Sequence, residues 1–448
     1  MPLITLEPAK GMAESPEQIF EITAAREQRL SRMLVSYIAA GLAFMLLPGT
    51  FLGVWNLISI SSHRAAGTVS AGWIQAHGHA QIFGWIGSFI LGIGYYSIPK
   101  LRRMRPFALW APWTSWALWT VGVALRWVTG VYEWQWRFML PLSAALEMAA
   151  FLIFFIAVSG HHNQQKGDAS LEEWIFVVIA GCVGWLATLV INLLSACYLA
   201  WQGVSPVLPH GFDQRFLVLQ TWGFLVPLVW GFSAKWLPIF LGLREPRAEW
   251  LLRAVAANSL GVLSALCGWM VLSTVLLLAG ILAAAFAIRV FERGERPAKV
   301  KGVHRSFPGF VRLAYVWGAI SAVLAIWASL SSTTAAGVWG ASRHALTVGF
   351  LALMVFAVGE RVLPAFSGMR VLFSTRLMFA ALLLLACGCF LRVGSEILAY
   401  QGYAQSAWSW LPVSAITEMT AVTLFAANLI LTFTSGRARA TLAYRNAA

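Results

Sequence analysis

Apolar residues run through this chain in long windows, each closed by a short polar or basic stretch. The windows fall near 33–56, 73–98, 107–126, 138–159, 173–200, 214–240, 250–270, 271–291, 309–331, 341–364, 374–398 and 410–434. About 20 apolar residues cross the roughly 30 Å of a bilayer's hydrocarbon as a helix. The pattern therefore predicts an all-α, polytopic membrane protein of twelve transmembrane helices. Residues 1–28 are polar and read as a cytoplasmic arm, with Ser15-Pro16-Glu17 as a helix start. No cleavable signal precedes the first span. Residues 436–448 form a short cytoplasmic tail.

The windows repeat. His79, Gly84 and Pro99 stand five and twenty residues apart, and His344, Gly349 and Pro364 keep the same frame. Val218, Gly223 and Pro238 keep it without the histidine. Two helices later, Leu140-Pro-Leu-Ser-Ala-Ala-Leu-Glu147 matches Leu411-Pro-Val-Ser-Ala-Ile-Thr-Glu418, and Arg126 and Arg392 each end the helix between. The transmembrane domain, 29–435, thus divides into three four-helix blocks, about 29–165, 170–300 and 306–435, of which the middle one has lost most polar landmarks.

Composition agrees, with 59% hydrophobic and 11% charged residues. The net charge of +14 would suit nucleic acid, but its distribution removes that reading. With the N-terminus inside, all of the 32 Lys and Arg except Arg64, Arg126, Arg137, Arg215, Arg343 and Arg392 fall on the cytoplasmic side. The positive-inside rule then places both termini in the cytoplasm, and the localisation expected is a bacterial inner membrane. The 23 Trp and 28 Phe serve interfacial belts or cofactor packing equally. The five cysteines lie within spans and read as small hydrophobes, Cys387-Gly-Cys389 included, because that spacing is not a metal-ligand spacing.

The chemistry is concentrated at one end. On this orientation His77, His79 and His344 lie near the outer face, His63 and His210 sit in outer loops, and Glu147 and Glu418 lie roughly 13 Å deep. Histidines at one depth on equivalent helices are natural axial ligands for a b-type haem, and the expected pair is His79 with His344. Arg126, Arg343 and Arg392 would meet its propionates. His77, about 200° round the helix from His79, would face the crevice towards the middle block. The bland readings are that His344 caps its helix, that His161, His162 and His304 are solvated, and that the glutamates pair with arginines. Proton transfer or metal ligation is the functional reading of Glu147 and Glu418.

Ala76-His77-Gly78-His79, with Phe83-Gly84-Trp85 and Pro99 beyond, resembles the H-x-H helix of the catalytic subunit of haem-copper oxidases and nitric oxide reductases. In that superfamily one histidine of the pair serves a high-spin and the other a low-spin haem, within twelve helices in three arcs. There H-x-H lies in the tenth helix and the single histidine in the second; here they are exchanged. That exchange, with His344-Ala-Leu-Thr-Val-Gly349, is closer to the NnrS family, whose second-helix motif reads H-x-H-E-M-x-F-G. Ala80-Gln81 stand where that motif has Glu-Met, as in a divergent member or a sister group.

The resemblance implies haem, copper and nitric oxide metabolism, with His77, His79 and His344 as ligands and membrane lipid, a periplasmic cytochrome or other respiratory subunits as partners. The three further histidines that hold copper in the oxidases are missing from the sixth and seventh helices, so copper would have to use His63, His77, His210 or the two glutamates. Rival readings are a subunit passing electrons between quinol and a periplasmic partner, and a cofactor-free secondary transporter.

Overall fold

The computed structural model describes residues 16–102, 107–159, 172–331 and 335–435. Ser15, His161, His162 and the tail 436–448 lie outside the described residues. The described chain forms twelve helical rods: α1 (16–63), α2 (Ala71–Leu101), α3 (Trp110–Tyr132), α4 (Trp136–Ser159), α5 (Glu173–Gln202), α6 (His210–Leu241), α7 (Ala248–Leu266), α8 (Met270–Ile288), α9 (Phe307–Leu330), α10 (335–366), α11 (Thr375–Tyr400) and α12 (Ala407–Thr434). Ten are long and apolar enough to span a bilayer by themselves; α3 and α7 fall outside that group and pack along α4 and α8. Most rods outrun their apolar windows. Arg126 and Arg392, expected at helix ends, therefore lie inside α3 and α11, each only 8% exposed.

Burial separates an inner ring from an outer one. The spans of α2, α6 and α10 are 83%, 67% and 72% buried, against 39–50% for the other seven. Those three rods are the ones that carry the His79, Val218 and His344 frame. Each widens into a π-helical segment at the residue after its landmark: Ala80–Gly87, Leu219–Leu225 and Ala345–Ala352. The middle copy keeps this feature without the histidine, so the widening belongs to the fold rather than to the chemistry. A fourth such segment, Met45–Phe51 in α1, contains Pro48, whose missing N–H removes one helical hydrogen bond.

The outer rods pack as hairpins α3–α4, α7–α8 and α11–α12, and α4–α5, α8–α9 and α12–α1 close the ring. Lipid offers helices little hydrophobic drive to associate, so close approach at small residues carries the contact. A Cβ added at Gly122, Gly261 or Gly388 would come within 2.9 Å of Glu147, 2.9 Å of Leu277 or 2.6 Å of Glu418 respectively. These three contacts are the same contact repeated, with Leu277 standing where its two equivalents are glutamates. At the opposite end the loop after α8 is pinned by Arg247 and Arg289, whose hydrogen bonds, that of Arg289 first, hold the exposed Glu292 carboxyl below the usual carboxylate range.

Three compartments result. Compartment I lies among α2–α6, compartment II among α6–α10, and compartment III among α10, α11, α12, α1 and α2. The tightest joint is between α5 and α6, where an added Cβ on Gly184 would sit 1.8 Å from the Gly223 carbonyl oxygen. Gly184→Ala should lower stability by about 1–3 kcal/mol, whereas Gly309→Ala, with nothing within 4 Å, should be near neutral. Thermal unfolding in detergent compares the two, and equal melting temperatures would contradict this packing.

Candidate functional site

The start of α2 is fixed by local hydrogen bonds. Ser70 caps it by accepting from the Gly72 N–H at 3.2 Å, Trp73 donates to the Val131 carbonyl at 3.2 Å, and Gln75 exchanges two bonds with Leu208 at 3.0 Å each. These anchors tie α2 to the end of α3 and to the segment before α6. They set the rotation at which His77 and His79 leave the helix.

His79 faces compartment I. Its Nε2 lies 2.7 Å from Glu147 Oε1, and its ring stacks on Phe83 at 4.4 Å between centroids, 8° from parallel. Asn192 of α5 donates to Glu147 Oε2 at 3.3 Å. The buried carboxylate is thus partnered on both oxygens, as a charge or acid in a membrane interior requires. Arg126, one turn along α3 from Gly122, is in electrostatic reach of Glu147 and of Asp213 on α6.

His77 faces compartment III. Its Nδ1 lies 2.8 Å from the Gly49 carbonyl oxygen in the widened part of α1. Gly53 makes room for the ring, since an added Cβ there would fall 2.6 Å from Cε1. The electrostatic neighbours of His77 are His344 on α10 and Arg392 on α11. His344 in turn sets its Nδ1 2.9 Å from the Gly340 carbonyl and 3.3 Å from Glu396 Oε2. Arg392 Nη2 is 3.6 Å from the same carboxylate oxygen. Among the described residues neither the His77 nor the His344 Nε2 has a hydrogen-bond partner. Arg343 lies in electrostatic reach of Glu396 and Asp213.

The pairing expected from the repeat frame, His79 with His344, is therefore not the one brought together. Threefold-equivalent positions turn the same way around the ring, so His79 and His344 look into different compartments. His77, offset by about 200°, is the side chain that meets His344. Nor does His344 cap a helix, since α10 begins nine residues earlier. Of the expected anion-pairing arginines, Arg343 and Arg392 belong to the His344 cluster, while Arg126 sits beside Glu147. His63 and His210 are exposed and bond to their own helices, through the Ser59 carbonyl and Gln214. Among the described residues no three His, Cys, Asp or Glu side chains gather as a metal-ligand set. Cys387 is exposed and Cys389 buried, so the two thiols point apart.

Three partners were missed at the sequence level. Glu396 follows Arg392 by four residues within an apolar span, a spacing that puts both on one helix face and could have drawn notice. Asn192 and Asp213 carry no such signal.

Compartments I and III are built on the same frame but filled differently. At matched offsets from the landmarks, compartment I has Phe83, Trp119 and Phe151, joined by Trp185 and Phe224 in one cluster of touching aromatic rings. Compartment III has Val348, Leu385 and Val422 there. Among the described residues its unpartnered buried atoms include Gln81 Oε1, Arg392 Nη1, Glu396 Oε2 and Glu418 Oε1, whereas the aromatic cluster of compartment I leaves the Trp185 indole N–H. Two imidazoles in electrostatic reach of each other, smaller walls, and buried donors and acceptors left over are what a polar-edged, planar, apolar group would need. Below this level Trp85, Phe356 and Phe425 close the compartment, the last two stacked at 3.9 Å.

Comparisons with known proteins support the same frame. The family model described as NnrS protein matches residues 33–437. No curated protein matches the chain by sequence. Among solved structures, a haem-copper terminal oxidase dimer determined by cryo-EM is similar with a TM-score of 0.67. The identity is 13%, and the match covers 92% of this chain and 85% of that one. It establishes the shared fold.

The His79–Glu147 pair has an internal control in the middle block, where Val218 and Leu277 occupy the same positions. Glu147→Leu alone should cost about 1–3 kcal/mol, because it leaves the buried His79 without its partner. His79→Val combined with Glu147→Leu should recover much of that loss. Thermal unfolding of the two variants and the parent measures it, and additive losses would show that the pair is not coupled.

Proposed function

We propose a function from the premise that this chain belongs to the NnrS family: it is a haem-binding integral membrane protein in which His77 and His344 hold one b-type haem between α2 and α10. The carrying observation is the pair of imidazoles on two inner helices. Each has Nδ1 occupied by an acceptor, 2.8 Å and 2.9 Å away, and Nε2 without a partner among the described residues. That is how haem-ligating histidines are prepared, with the distal ring nitrogen fixing tautomer and orientation. Arg343 and Arg392 are both in electrostatic reach of Glu396 and suit the propionates. The excess of Lys and Arg at the other ends of the helices supports a periplasmic position for this cluster and cytoplasmic termini.

When bound, the haem would supply one-electron redox chemistry. A haem held by His77 and His344 would suit electron transfer, and the family resemblance connects it with nitric oxide metabolism. The natural partners are a periplasmic cytochrome or other respiratory subunits. Compartment II, where the oxidases carry their copper histidines, here presents Val218, Ala265 and Leu277, so that chemistry has no donors there. Glu147 has the role of partner to His79. Glu418, half-buried near Arg392 with a buried Oε1 that has no partner among the described residues, is the better candidate for handling a proton.

The reduced-minus-oxidised spectrum of the purified protein tests this. The wild type should show sharp low-spin b-type bands. His77→Ala and His344→Ala should each abolish that signal or convert it to high spin, while His79→Ala should retain it. A colourless wild type, or a signal lost with His79 and kept without His77, would overturn the assignment.

A further inference from the structure

The two imidazoles of compartment III are not held alike. Nδ1 of His77 faces only a neutral backbone carbonyl, that of Gly49, at 2.8 Å. Nδ1 of His344 is hydrogen-bonded to the Gly340 carbonyl at 2.9 Å and also has beside it, at 3.3 Å, a Glu396 carboxylate oxygen that is buried and without a hydrogen-bond partner of its own among the described residues. Glu396 is 5% exposed and is steadied by Arg392, one turn earlier on α11, at 3.6 Å.

This arrangement is particular to compartment III. An added Cβ on Gly340 would lie 2.0 Å from Glu396 Oε1, so only a glycine there lets the carboxylate reach His344. In compartment I the residue four before His79 is Gln75, and the residue four after Arg126 is Gly130. The copy of the frame that holds His79 thus has neither the glycine nor the glutamate, although it keeps the arginine.

We infer that Glu396 is a positioning residue that acts through His344, drawing on the Nδ1 proton and making that imidazole the more basic of the two ligands. This rests on the haem assignment above. A carboxylate behind a ligating histidine raises its basicity. A more basic ligand favours ferric over ferrous iron, so Glu396 should hold the midpoint potential low. The competing role is purely structural, in which Glu396 neutralises Arg392 and leaves the imidazole alone.

The two roles separate in three variants read by redox titration and ferric electron paramagnetic resonance. Glu396→Gln should keep the low-spin bands, raise the midpoint potential, and move the ferric g values towards those of a neutral bis-imidazole haem. Gly340→Ala keeps the charge but pushes the carboxylate off Nδ1, and should shift both readings the same way by less. Glu396→Asp should fall between wild type and Glu396→Gln. Unchanged potential and g values in Glu396→Gln would overturn the inference, as would loss of haem from folded Glu396→Gln and Glu396→Asp alike, which makes Glu396 part of the frame. A wild type without haem, or a low-spin signal that survives His344→Ala, would refute the haem assignment itself and this inference with it.

Discussion

Side chains on a helix are separated by about 100° per residue, and this governs how the whole molecule distributes its chemistry. His77 and His79 share a turn of α2 yet cannot share a neighbour. Because α2 is an inner rod, each side of it borders a different compartment, and the two imidazoles are delivered one to each. His79 meets Glu147 and Asn192; His77 meets the cluster of His344, Arg392 and Glu396. Every other polar feature at this end follows from that division. The anchors of α2 at Ser70, Trp73 and Gln75 matter because a modest rotation of the rod would aim both rings at helix backbones.

The threefold ring explains why the division is stable. Without much hydrophobic drive between helices in lipid, the packing of small residues fixes which faces touch, and Gly122, Gly261 and Gly388 make one contact three times. What packs against each glycine has then diverged. Leu277 is the inexpensive choice, whereas Glu147 and Glu418 each bury a carboxyl deep in the bundle. Glu147 is fully partnered, so its burial is offset by hydrogen bonds to His79 and Asn192. Glu418 is not, and the same compartment leaves Gln81 and Arg392 atoms unpaired. One compartment pairs its buried carboxyl with its own side chains, and the other leaves buried charged and amide atoms over among the described residues.

Much of the architecture was legible in the sequence, since apolar windows, the glycine–proline frame and the Leu-Pro-x-Ser-x-x-x-Glu repeat all have regular spacing. The helix count and the three blocks follow from that spacing. The partner of each histidine did not, because equivalence in a repeat marks the same position in different compartments rather than the same place. Equivalent residues such as His79 and His344 are therefore kept apart by the symmetry that relates them. Arg126 and Arg392 were placed at helix ends because charge usually stops an apolar window. Here α3 and α11 continue past them; Arg126 is balanced by Glu147 and Asp213 from neighbouring rods, and Arg392 by Glu396 one turn further along α11 itself. The balance of Arg126 runs between rods distant in sequence and leaves no local pattern to read, whereas the Arg392–Glu396 spacing leaves one.

The contrast between compartments I and III bears on what the H-x-H motif means in this fold. A buried polar pair is costly to dismantle one residue at a time, because each single loss strands the other partner. His79 and Glu147 can therefore persist as a coupled structural unit inside a compartment already filled by Phe83, Trp119, Phe151, Trp185 and Phe224. No such coupling protects His77, whose Nδ1 has a backbone acceptor and whose Nε2 has no protein partner. Packing alone would accept an apolar side chain beside Gly53 in its place. The histidine whose presence packing does not account for is thus the one that faces His344, and it is on that side of α2 that a demand from outside the polypeptide has to be sought.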